Sequence, residues 1–119
     1  MSSLDTFFEA WALSDASART AKIDAAISDG FTYSDPRSGA RLSGLHAVAE
    51  YVGMFSANAP GWSAKVDTSD EVNGYHRAIV AFGGTGPDGS EMVQHGTYFA
   101  ETDDAGKLVL LAGFVGKGD

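Results

Sequence analysis

The chain has 119 residues, 16 acidic against 8 basic, for a formal net charge of −8. This is the length of one domain, 1–119, with no room for separate cofactor and substrate domains, and its acidic surface would repel a phosphate backbone. The absence of cysteine excludes disulfides, thiolate zinc sites and Cys nucleophiles.

Leu4, Phe7, Phe8 and Trp11 recur at the spacing of an amphipathic helix. Ser3 is placed to cap it, and Asp5 and Glu9 suit its positive end. A second helix is expected from about Ser17 to Ile27, with Gly30 as its stop signal. Phe31 to Asp35 alternates as a short half-buried strand that Pro36 ends. Ser43 is a good N-cap for a third helix with Leu45, Val48, Val52 and Phe55 on its apolar face and Tyr51 beside it. Asn58-Ala59-Pro60-Gly61 closes that helix. Beyond it the period becomes two. Strands are expected over Trp62–Thr68, Val72–Gly83, Glu91–Glu101 and Lys107–Val115, with Asn73-Gly74, Gly86-Pro87-Asp88-Gly89 and Asp103-Asp104-Ala105-Gly106 as turns. Asp67, Asp70 and Glu71 read as an exposed connection. Helices first and an antiparallel meander afterwards give an α+β domain, with Gly83, Gly84, Gly96 and Gly113 as places for the sheet to bend. No apolar run approaches the ~18 residues of a membrane span. The start, Met1 to Asp5, lacks the basic head of a secretory signal, so a soluble cytoplasmic protein is expected.

Five stretches in this order resemble the SnoaL-like branch of the nuclear-transport-factor-2-like superfamily. They are Phe7-Phe8-Glu9-Ala10-Trp11; Phe31 to Pro36; Ser43-Gly44 leading into a helix that ends at Pro60-Gly61; the Gly86 to Gly89 hairpin; and Gly96-Thr97-Tyr98-Phe99-Ala100-Glu101 running through an acidic turn to Gly113-Phe114. The resemblance implies a cone in which three N-terminal helices pack on a curved, mainly antiparallel sheet and leave an apolar pocket. It places Trp11, Tyr33, Tyr51 and Phe55 on that pocket from the helices and first strand. It adds Phe82, Gln94 and Phe114 from the meander. It further implies a small apolar or cyclic ligand, no cofactor, and a homodimer through the outer sheet face, where Ile79, Val93 and Phe99 would lie.

Asp35, His76 and Tyr98 are the groups able to do chemistry there. A carboxylate among aromatic rings resists ionisation and can serve as general base or acid near neutral pH; Asp35 is equally a cap for the turn at Pro36. Imidazole changes charge near pH 7, so His76 could pair with Asp35, or be a histidine of the turn beside it. In the cyclase branch the position resembling Tyr98 holds a catalytic Asp. A phenol, with an ordinary pKa of about 10, donates a hydrogen bond but is a poor base. The hydrolase branch needs an acid on the last strand, and 107–117 has none. The isomerase chemistry asks for a base, a Tyr and a protonated acid; Asp35 and Tyr98 match two of these roles. His46, His76 and His95 show no metal-ligand spacing, so no metal is expected. Three functions follow: a pocket protein for a small ligand, a cofactor-independent acid/base enzyme of isomerase, cyclase or dehydratase type, or a dimeric interaction module.

Overall fold

A computed structural model describes residues 2–117. The first helix, α1 (Ser3–Glu9), is capped by Ser2 rather than Ser3. The Ser2 hydroxyl accepts from the Asp5 amide while the Asp5 carboxylate reaches back to Ser2, so two free N–H groups of the first turn are satisfied reciprocally. A short 3₁₀ turn, Ala10–Ala12, brings Trp11 inward. Helix α2 (Ala16–Ala26) starts at Asp15, whose side chain accepts from the Ala18 amide. The chain then passes straight into strand β1 (Ile27–Ser34), so Gly30 lies inside a strand and does not stop the helix. After the two-residue strand β2 (Leu42–Ser43), Gly44 takes the cap position of α3 (Leu45–Asn58). Ser43 belongs to the sheet instead, paired with Thr32.

Strands β3 (Ser63–Val72), β4 (Tyr75–Thr85), β5 (Glu91–Thr102) and β6 (Leu108–Val115) form the meander. The β3–β4 turn is Asn73-Gly74, both with positive φ (51° and 86°), the backbone that matches the right-handed twist of a two-residue hairpin. Asp67, Asp70 and Glu71 sit within β3, where Glu71 pairs with His76 and Asp70 with Arg77. The sheet order is β2-β1-β6-β5-β4-β3. Its β1–β6 pair is parallel, and the others are antiparallel.

Register shifts fall between Ile27 and Thr32, Val66 and Thr68, and Glu101 and Thr102. Such bulges bend a strand and raise its twist. The strand glycines have another use: they leave space for rings. A Cβ on Gly84 would stand 2.4 Å from the Trp62 ring, and one on Gly113 would stand 2.5 Å from the Tyr98 ring. The core between helices and sheet is aromatic. Phe7 meets Phe8, Phe31 and Tyr33 at centroid distances of 5.2, 5.7 and 5.7 Å. Leu4, Phe7, Phe8 and Trp11 are all buried, as their spacing predicts. Among the described residues no helix is long and apolar enough to cross a membrane.

Candidate functional site

One end of the cone stays open as a cavity of about 810 Å³. The elements around it follow from alternation. On β5, Gly96, Tyr98 and Ala100 are buried, so this face looks inward and carries Gln94 to the cavity wall. On β4 the same parity turns Ala78 and Val80 into the core and Phe82 to the cavity. Tyr51 and Phe55 reach it from α3, and Trp11 closes its floor. Trp11 meets Phe55 at 5.0 Å, Phe82 at 5.6 Å and Tyr51 at 6.2 Å. An aromatic lining with a few polar groups is the usual composition of a small-molecule site.

The polar centre is Asp35. Both readings of this residue are realised at once. Its Oδ1 accepts from the Arg37 amide at 2.9 Å, and the Asp35 amide donates to Ser38 Oγ at 3.1 Å; these are the bonds of a turn after β1. The same carboxylate faces the phenols. Tyr33 Oη donates to Oδ2 at 2.6 Å. Tyr51 Oη lies 2.7 Å from Oδ1 and 2.8 Å from Oδ2. Tyr98 Oη is 3.1 Å from Tyr33 Oη, which makes a chain from Tyr98 through Tyr33 to Asp35. Burial, above all, pushes the Tyr33 hydroxyl well above its ordinary range, helped by Tyr98 and Asp35. Tyr51 is raised by burial and then by its bond to Asp35, with Arg37 pulling weakly the other way. Tyr98 is raised by burial, against the lowering effect of its bond to Tyr33. All three phenols therefore keep their protons through neutral pH.

Of the ten residues singled out from the sequence, Asp35, Tyr98, Trp11, Tyr51, Phe55, Phe82, Gln94 and Phe114 border the cavity. Tyr33 lies behind the wall, fully buried, and touches the cavity only through its partners. Phe114 borders the cavity at its opening, from a position paired with Thr97, and it is 61% exposed. The inward position next to it is Gly113, emptied for the Tyr98 ring. His76 shares the inward parity of Phe82, yet it sits six residues along β4, which is about 20 Å of extended chain. Its Nε2 is 3.0 Å from Thr102 Oγ1 and 4.0 Å from Glu71 Oε2. An Asp35–His76 dyad is therefore not formed.

His95 faces outward, 3.7 Å from Asp67, and His46 pairs with Glu50 on the surface of α3. Among the described residues no three His, Asp or Glu side chains converge as a metal cluster. On the convex face Val93 and Phe99 are exposed, with Phe99 stacked on Tyr75 at 5.8 Å.

Sequence reasoning missed Trp62 and the polar rim of Arg37, Asn58 and Lys117. Trp62 had a cue: a large ring just after a helix stop needs a strand glycine to lie on, and Gly84 is that glycine. Gly84→Ala is expected to push the ring off the wall, break the Trp62 Nε1 to Thr85 carbonyl bond (3.3 Å) and cost about 1–2 kcal/mol. A red-shifted tryptophan emission together with a lowered denaturation midpoint would show it.

Three helices cupped by a curved six-stranded sheet, hollow at one end, make the fold of nuclear-transport-factor-2-like proteins. Within it the chain belongs to the SnoaL-like domain family, whose model matches residues 4–111. Among solved structures it is similar to a candidate isomerase of the SnoaL-like family from Agrobacterium tumefaciens. The two share 21% identity and a TM-score of 0.80, over 97% of this chain and 95% of the other. A nuclear-transport-factor-2-like protein of unknown function from Exiguobacterium shows 24% identity and a TM-score of 0.74, over 99% and 100%. A protein with a ketosteroid isomerase-like fold from Catenulispora acidiphila, in complex with trimethylamine, shows 12% identity and a TM-score of 0.75, over 93% and 82%. At these identities the likeness is one of fold. No curated protein sequence matches the chain.

Proposed function

We propose that the protein binds a small, largely apolar cyclic molecule in the cavity at the open end of the cone. The observation that carries this is the cavity itself. About 810 Å³ of space is walled by Trp11, Tyr51, Phe55, Trp62, Phe82 and Tyr98 around one carboxylate. A folded domain of this size ordinarily fills its interior, and space of this kind with few, convergent polar groups is what small ligands occupy. A second reading, acid/base turnover of that ligand without a cofactor, is favoured by the position of Asp35. Its carboxylate borders the cavity, and Tyr33 and Tyr51 hold it in place. In that reading Asp35 takes a proton from the ligand, and Tyr51 and Tyr98 contact the atom that loses it. His76 has no part in it.

Binding is tested with 2-naphthol by isothermal titration calorimetry, against an Ala59→Trp variant that fills the cavity from the end of α3. One molecule is expected to bind per chain, with affinity reduced more than about tenfold, roughly 1.4 kcal/mol, in the variant. Equal binding by the folded variant would place the probe elsewhere and reject the cavity as the site.

A further inference from the structure

The polar end of the cavity holds fewer protons than the oxygens around it could use. As a carboxylate, Asp35 only accepts, and each phenol owns a single O–H. The Tyr33 proton is committed to Asp35 Oδ2 at 2.6 Å. The Tyr51 proton is committed to the same carboxylate at 2.7 and 2.8 Å. Tyr98 and Tyr33 are 3.1 Å apart. With the Tyr33 proton already engaged, Tyr98 is the donor in that pair. Tyr51 and Tyr98, the two phenols that border the cavity, therefore have only lone pairs left for a ligand, beside a carboxylate that also only accepts.

Resting on the reading of the cavity as a site for a cyclic ligand, we propose that the group such a ligand buries against Tyr51 and Tyr98 is a hydrogen-bond donor, the hydroxyl of a phenol or enol. A ketone or ether oxygen there would set lone pairs against lone pairs once the bound ring covers them, and each unmatched oxygen would carry the cost of its lost hydration. The exposed donors of the cavity stand at its rim, on Arg37, Asn58 and Lys117, with the mixed amide of Gln94 on the wall. The Trp11 indole N–H is a further donor, buried in the floor without a partner among the described residues. A ligand hydroxyl, which accepts as well as donates, suits both it and the phenol oxygens. The arrangement thus sets a direction on the ligand: hydroxyl inward, acceptor or anionic groups outward. Asp35 is the positioning residue that fixes this direction, because its charge draws the phenol protons away from the cavity.

The test compares 2-naphthol with 2-methoxynaphthalene, 2-acetylnaphthalene and naphthalene by equilibrium dialysis at neutral pH. The space available is large enough that a methyl group does not decide among them. 2-Naphthol is expected to bind about tenfold or more tightly than each of the others. In Asp35→Asn the side-chain amide supplies N–H donors, Tyr33 or Tyr51 can accept, and a phenol proton is freed toward the cavity. The preference for 2-naphthol over 2-methoxynaphthalene should then shrink toward parity. Tyr98→Phe, which removes one acceptor and keeps the ring, should weaken 2-naphthol and leave 2-methoxynaphthalene unchanged. It decides the matter if Asp35→Asn fails to fold. Equal binding of 2-naphthol and 2-methoxynaphthalene to the wild type, or a preference that Tyr98→Phe leaves intact, would overturn the donor rule while leaving the cavity as a binding site. Binding of none of the four would overturn the cavity reading and this inference together.

Discussion

Above pH 10 the protein is expected to lose about 2.7 kcal/mol of stability for each further pH unit, from Tyr33 and Tyr98 alone. In the unfolded chain a tyrosine releases its proton near pH 10. In the fold Tyr33 is fully buried and Tyr98 is 4% exposed, and burial raises both. The folded chain therefore holds protons that the unfolded chain gives up. By linkage, the stability these groups contribute is complete below pH 10 and falls as the pH rises past it. Tyr51 acts in the same direction but is only half-buried, so its share is smaller. Urea midpoints at pH 9, 10.5 and 11.5, followed by circular dichroism and by phenolate absorbance at 295 nm, check this. Phenolate absorbance from three of the four tyrosines should rise with unfolding and not before it. A Tyr33→Phe/Tyr98→Phe double variant should flatten the slope, which separates the effect from general charge repulsion. Full phenolate absorbance in a still-folded chain would refute the account.

Gly113→Ala is the second large effect. The added Cβ would lie 2.5 and 2.6 Å from Cε2 and Cζ of Tyr98 and 3.0 Å from its Oη. The ring is packed against Phe8 at 5.0 Å and Phe82 at 6.3 Å, so it cannot step aside freely. Overpacking of this kind costs about 1–3 kcal/mol. Losing the Tyr98–Tyr33 bond adds about 1 kcal/mol. Thermal and chemical denaturation should show a loss of about 3 kcal/mol, and 2-naphthol binding should fall more than about tenfold. A double-mutant cycle with Tyr98→Ala assigns the cause: once the ring is gone, the alanine at 113 should cost little. A cost that persists without the ring would mean that the strand, and not the tyrosine, needs the glycine.

Local pattern determined much of this protein. The spacing of Leu4, Phe7, Phe8 and Trp11 marked a helix and the face it buries. Two-residue alternation sorted β4 and β5 into faces, with Val80 and Phe82 on one side of β4 and Tyr98 opposite in parity to Phe99 on β5. That the Phe82 and Tyr98 faces look inward was implied by the family resemblance and is what the fold shows. Asn73-Gly74 specified its own turn through the backbone it adopts. These features depend on neighbours within a few residues, and a periodic pattern records which side of an element meets the core. It does not record what the element meets, or how far along it a residue lies. Hence β1 beside β6, in parallel across the length of the chain, was decided by tertiary packing. So was the gathering of Tyr33, Tyr51 and Tyr98 on Asp35, whose place before Pro36 signals only a turn. The same reason excluded one residue. His76 has the right parity, but the sheet carries it to the other end of the cone. Which oxygen donates and which accepts at the cavity was settled last, because it follows from distances between side chains brought together from three separate elements.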